Sequence, residues 1–238
     1  MEQTPHGWTI LDKDAGVLSY AYTFASGSAN SFVARYLGDK LLVLSPPCGL
    51  SEGAFTDLER FGTVESVVAS NGFHHLGQAE WKKRYPAATF YASTAAAKRI
   101  KKKNPKAGDF VPLWQLVQKL GGDVGVIEAP ADKCGETWAY AKTAHGYAWY
   151  ASDTLANMAK LPKSLPVKLL LKLTKSAPGY RVFGLALKFI ASDKERILRT
   201  MQEALRTRPV AIMVPAHGGI LAHDGLAEET QRLIESAL

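Results

Sequence analysis

A mixed α/β (α+β) fold is predicted by three features of this sequence. Short apolar runs bounded by Gly, Pro and Asp recur along the chain. Segments of helical spacing separate many of them. The 238 residues are 47% apolar and only 21% charged, which is enough to bury a large core. No stretch approaches about 18 uninterrupted apolar residues, and the opening MEQTPHGWTILDKD lacks the basic-then-apolar order of a secretory signal. The expectation is a protein without a membrane span. Cys48 and Cys134 have no zinc-type or redox spacing and read as reduced thiols, which suits a cytoplasmic setting.

The elements follow in order. Between Leu18 and Leu44 the runs YAYTFA, SFVARYL and KLLVLS are strand-like, punctuated by Gly27 and a turn at Gly38-Asp39-Lys40, and read as hairpins. Ser51 to Phe61 reads as a helix closed by Gly62, and VESVVAS as a short buried strand. Gly77 to Arg84 returns to helical spacing and stops at Pro86; ATFYAS is a strand and TAAAKRIKKK a helix. Further on, VGVIEAP is a strand, and TWAYAKT and YAWYAS form a hairpin turning at Ala144-His145-Gly146. Asp153 falls as that second strand ends, with DTLANM able to open a helix. DKERILRTMQEALRT is an amphipathic helix with Ser192 as its expected N-cap. PVAIMVP is a buried strand ending at His217 and Gly218-Gly219, and Leu226 to Ala237 is helical. No repeat or composition break divides the chain, so one domain over 1–238 is expected, with a basic, mobile insertion at about 159–190.

The net charge is +7. Lys98, Arg99, Lys101, Lys102, Lys103 and Lys106 form one cluster; Lys160, Lys163, Lys168, Lys172, Lys175, Arg181 and Lys188 form another, and neither window holds an acid. Such patches attract anions, whether a phosphorylated or carboxylated small molecule, nucleic acid or an acidic membrane surface; the plain alternative is a solvated basic face. KRIKKKNPK has no interleaved aromatics, which argues against nucleic acid.

The chain has six histidines. His74 and His75 follow one predicted strand, Asp153 a second and His217 a third. Strand-end loops gather chemistry because a sheet aligns those ends in space. Three imidazoles and a carboxylate suit one divalent ion, zinc first, with iron or manganese as alternatives.

This order of groups resembles the metallo-β-lactamase superfamily, over about Ser31 to Leu221. The resemblance implies a four-layer αβ/βα sandwich, two mixed β-sheets flanked by helices. That family's first motif, HxHxDH followed by an apolar residue and Gly, corresponds here to Ser70, Asn71, Gly72, Phe73, His74, His75, Leu76 and Gly77. Ser70 and Gly72 replace two histidines and His74 replaces the aspartate. Asp132, in APADKCG, stands for the second-strand histidine; Asp153, in YASDTLAN, for the bridging aspartate; His217, in VPAHGG, for the closing histidine. The first metal site would draw on Ser70, Gly72 and Asp132 and is lost, since Gly72 offers no side chain. The second keeps His74, His75, Asp153 and His217 as metal ligands. The run NGFHHLGQAEWKKRYPAATFYA is similar to a branch of the superfamily with an Asn-x-x-His-His-Leu signature and no assigned substrate.

Two functions from different classes remain. One is a metal-dependent hydrolase of an ester, thioester, lactone or phosphoester, with hydroxide supplied by metal-bound water and Asp132 as general base. The other is a relative without turnover, whose cleft binds a ligand or partner. His145 at a hairpin tip reads as solvent-exposed, Cys134 as a buried neutral thiol, and Trp81 and Tyr85 as helix packing. His6 carries no context, and His223 is the substitute should His217 lie elsewhere.

Overall fold

The computed structural model describes residues 1–24, 27–161 and 164–238. Ala25, at the end of the predicted YAYTFA strand, and Lys163, in the second basic cluster, lie outside them. The first half of the chain forms a mixed sheet whose eight strands, among the described residues, stand in sequence order. These are β1 (Glu2–Gln3), β2 (Trp8–Asp12), β3 (Val17–Phe24), β4 (Gly27–Tyr36), β5 (Lys40–Leu44), β6 (Thr63–Val68), β7 (Thr89–Ala92) and β8 (Val111–Pro112). Pairing is antiparallel from β1 to β5 and parallel from β5 to β8. The parallel crossovers carry α1 (Glu52–Glu59), α2 (Gln78–Arg84) and α3 (Thr94–Lys103), and α4 (Leu113–Val117) follows β8. Ser51 and Ser93 cap α1 and α3 by accepting the backbone N–H of Ala54 and Ala96 at 3.1 and 3.2 Å.

The second half forms a smaller sheet from β9 (Val124–Glu128), β10 (Thr137–Thr143), β11 (Gly146–Met158), β12 (Gly179–Val182) and β13 (Val210–Gly218), covered by α6 (Gly184–Ile190), α7 (Lys194–Thr207) and α8 (Leu226–Glu235). β13 pairs parallel with β11, while β10 and β12 pair antiparallel with it. Helix α5 (Leu165–Leu173) precedes β12.

Alternation along strands explains the layers, because successive side chains face opposite ways. Phe32, Ala34, Leu42 and Leu44 face the second sheet and meet Tyr150, Val214 and Ala216. Their neighbours Val33, Leu41 and Val43 face Phe55, Leu58 and Trp81 under α1 and α2. On the second sheet Trp138 and Trp149 turn outward onto Ile197, Leu198 and Met201 of α7. Each such large apolar side chain stabilises the fold by about 1.5–3 kcal/mol when fully buried. The result is helix, sheet, sheet, helix: the expected four-layer αβ/βα sandwich. Trp81 and Tyr85 pack edgewise on Phe55, as helix packing requires.

Two local expectations need correction. Asp153 does not end its strand and DTLANM opens no helix: β11 continues to Met158 because β12 pairs with Leu155 through Met158. Asp153 instead follows a bulge, where Ser152 adopts φ +47° and the register to β13 slips. The cap of α7 is Asp193, whose carboxylate accepts the Arg196 N–H at 3.0 Å; the Ser192 hydroxyl donates to the Ala131 carbonyl. Within the span 159–190, β12 pairs in the sheet and Leu187 and Ile190 of α6 are core residues. Among the described residues no helix is long and apolar enough to cross a membrane.

Candidate metal centre

The loop beyond β6 reaches across to the second sheet before the chain returns to the first in β7. The Ser70 carbonyl accepts the Thr137 N–H at 2.7 Å and the Gly72 N–H donates to the Cys134 carbonyl at 2.8 Å, so the loop is tied to the start of β10. Asn71 then turns the chain by accepting the Phe73 N–H at 2.8 Å. Asn104 and Gln78 hold the His75 and His74 carbonyls at 2.9 and 3.2 Å. The histidines are therefore fixed by their backbone. On the far side, Asn30 of β4 donates to the carbonyls of Pro215 and Gly218, both at 2.8 Å, and so clamps the end of β13 beside the loop. Gly218, at φ +99°, passes so close to Asn157 that a Cβ would lie 1.9 Å from its carbonyl oxygen.

Three donor groups converge where these segments meet. His74, Asp153 and His217 place ligand atoms within 4.8 Å of one another. The Nε2 atoms of His74 and His217 each stand 3.3 Å from Asp153 Oδ1. Tetrahedral ligands at zinc bond lengths sit roughly 3.3–3.5 Å apart, so these separations fit an ion at their centre. The remote atoms are anchored: His217 Nδ1 lies 2.8 Å from the Ser28 carbonyl, His74 Nδ1 2.5 Å from the Ser45 hydroxyl, and Asp153 Oδ2 accepts from Asn71 at 2.9 Å. A ring that donates from Nδ1 to a carbonyl presents the lone pair of Nε2, the tautomer a metal requires. The donor set and its spacing fit one divalent ion.

Glu136 lies behind this group, fully buried. It accepts from the Asp153 N–H at 2.7 Å, the Thr154 hydroxyl at 2.9 Å, Asn71 at 2.8 Å and the Ser152 hydroxyl at 3.1 Å. Burial, then the charge of Asp153, push the Glu136 carboxyl well above its ordinary range. Burial would also raise Asp153, but the charges and hydrogen bonds of His74 and His217 outweigh it and hold Asp153 well below. Burial lowers His217 while the hydrogen bond and charge of Asp153 raise it, and the net direction is upward.

The geometry separates His75 from the other three. Its ring lines a cavity of about 330 Å3 with them, yet it is outside the set with ligand atoms within 4.8 Å, and its Nδ1 is buried without a hydrogen-bond partner among the described residues. Burial, then Arg99, push His75 below the usual imidazole range. Asp132 spends Oδ1 on the N–H groups of Cys134 and Glu136 at 2.7 and 2.9 Å, shaping the turn that presents Glu136; its Oδ2 is buried and has no hydrogen-bond partner among the described residues. Burial raises its carboxyl most. Ser70 is fully buried. Cys134 is a buried thiol, pushed up by burial, and His145 is exposed. His6 pairs with Asp57 and His223 with Glu229, both away from the centre.

A larger cavity of about 620 Å3 opens on Asp153 and His217. Its wall is mostly apolar, with Phe73, Phe183, Leu185 and Phe189, and Arg99 adds a guanidinium to it. Sequence reasoning missed Asn71, Glu136 and the placement of Arg99. Asn71 stood inside the motif as an unassigned position, and a single Glu in DKCGETWAY gives no pattern.

No family profile and no curated protein sequence matches the chain. Solved structures do. A metallo-β-lactamase from Erythrobacter litoralis, with β-mercaptoethanol in its active site, superposes with a TM-score of 0.63 over 99% of each chain at 11% identity. The DIM-1 metallo-β-lactamase gives 0.62 at 14% identity, covering 98% of this chain and 99% of its own. A fragment of a diflavin flavoprotein from Nostoc sp. PCC 7120 gives 0.60 at 13% identity, covering 98% and 96%. Two face-to-face mixed sheets with helices outside, and these superpositions, define the class. The chain has the metallo-β-lactamase fold.

Proposed function

We propose that this protein is a metal-dependent hydrolase with a single metal site, acting on an ester, thioester, lactone or phosphoester. The observation that carries the reading is the pair of 3.3 Å approaches of His74 and His217 Nε2 to one oxygen of Asp153, with the other end of each side chain anchored. His74, Asp153 and His217 would hold the ion, zinc first, with iron or manganese as alternatives; His75 lines the same cavity but lies outside this set of three. An ion held there lowers the pKa of water and polarises a carbonyl or phosphoryl oxygen. Three close protein ligands leave a position open, as catalytic sites require. Asn71 keeps Asp153 aimed, and the apolar wall would receive an apolar part of the substrate. Asp132, whose Oδ2 is buried without a hydrogen-bond partner among the described residues, is the candidate general base. The free thiols Cys48 and Cys134 support a reducing, cytoplasmic setting.

A second reading, a ligand-binding relative without turnover, draws on Ser70 and Gly72, which leave the first metal site without imidazoles. Elemental analysis of untagged protein prepared without chelator separates the two. The hydrolase reading expects about one equivalent of metal, lost in Asp153→Ala, with EDTA-sensitive turnover in a screen of generic esters and phosphodiesters. Protein that neither carries nor takes up metal on titration belongs to the second reading.

A further inference from the structure

Gly72 is not required by its backbone, whose φ lies in the ordinary region; what its missing side chain supplies is room. A Cβ at 72 would lie 2.5 Å from Cδ, 2.8 Å from Cβ and 3.0 Å from Cγ of Arg99. A histidine at 72 and the present Arg99 stem therefore exclude each other. The guanidinium is held in turn by Phe73, with Cζ 3.9 Å from the ring centroid. Arg99 has no carboxylate partner among the described residues, and its Nε is buried without a hydrogen-bond acceptor. An unused buried N–H is costly unless a ligand satisfies it. Arg99 also faces the same 620 Å3 cavity as Asp153 and His217.

We propose that Arg99 is the residue that selects the substrate: it binds a carboxylate or phosphate group on a molecule whose apolar body lies along Phe183, Leu185 and Phe189. The flat guanidinium fork matches either oxyanion. The Arg99 stem thus fills the room beside Gly72, the position where the resemblance expects a ligand of the lost first ion. The neighbouring Lys98, Lys102 and Lys103 of α3 are exposed and add long-range attraction for the same charge. The ligand's place as a substrate rests on the hydrolase reading; its capture by Arg99 does not.

Calorimetry on EDTA-treated protein tests this with octanoate, octanamide and inorganic phosphate. Octanoate should bind at least about tenfold more tightly than octanamide, which has the same tail and no charge, and more tightly than phosphate, which has no tail. Arg99→Gln should lower octanoate affinity at least about tenfold while leaving octanamide unchanged, and Arg99→Lys should fall between. Far-UV circular dichroism checks that both variants fold, and the comparison of ligands on unmodified protein stands without them. Equal binding of octanoate and octanamide, octanoate affinity unchanged in Arg99→Gln, or phosphate binding as tightly as octanoate would each overturn the proposal. Because these titrations are done without metal, failure of the protein to take up an ion leaves their outcome untouched.

Discussion

Asn71 gives one hydrogen bond to Glu136 and another to Asp153, so two buried carboxylates share a single amide. That arrangement lets them stand side by side, since the amide protons face both and the Asp153 and Thr154 donors hold the rest of Glu136. Asn71→Ala should cost about 1–3 kcal/mol in urea denaturation, the penalty for leaving buried acceptors unpaired. It should also weaken metal affinity by about 10–100-fold in a competition titration, because Asp153 loses its aim. Part of this centre was legible from residue type and order alone: His74, Asp153 and His217 were each named before any geometry. The groups behind them were not. Asn71 and Arg99 act through contacts with residues distant in the chain, and local pattern carries no trace of such contacts. Arg99 in particular read as one charge among six in its cluster, while the structure turns it into the cavity.

Helix and strand identities were legible where both faces of a strand are apolar, as in KLLVLS, or where helical spacing is strict, as in α7. Ends were less so. Two adjacent polar residues, Ser192 and Asp193, could each cap α7, and only the fold decides, by engaging the serine with the Ala131 carbonyl. Asp193→Ala should therefore destabilise the protein by about 0.5–2 kcal/mol in chemical denaturation, with Ser192→Ala costing clearly less. The bulge at Ser152 was illegible for a related reason. A serine at φ +47° is not marked by composition, and the slip it absorbs belongs to the pairing of β11 with β13, about sixty positions later. Yet this irregularity matters most for the site, because it falls one residue before Asp153, at the step where the register slips.

Across the whole molecule, the three close donors are divided between the halves of the chain: His74 comes from the loop after β6 of the first sheet, Asp153 and His217 from β11 and β13 of the second. With the proposed ion bound, the seam between sheets gains a cross-link beyond the apolar core and the Asn30 clamp. Ligand linkage gives about 2.7 kcal/mol at a free ion concentration one hundred times Kd, which for a chain of this size raises Tm by about 5–10 °C. Scanning calorimetry should show that shift between metal-replete and EDTA-treated protein, and Asp153→Ala should abolish it. Scarcity of the ion would then do two things at once. On the proposed function, the rivet that closes the seam and the centre for the chemistry would be made of the same three side chains, so a starved molecule would loosen as it falls silent, and proteolytic clearance would take disarmed copies first.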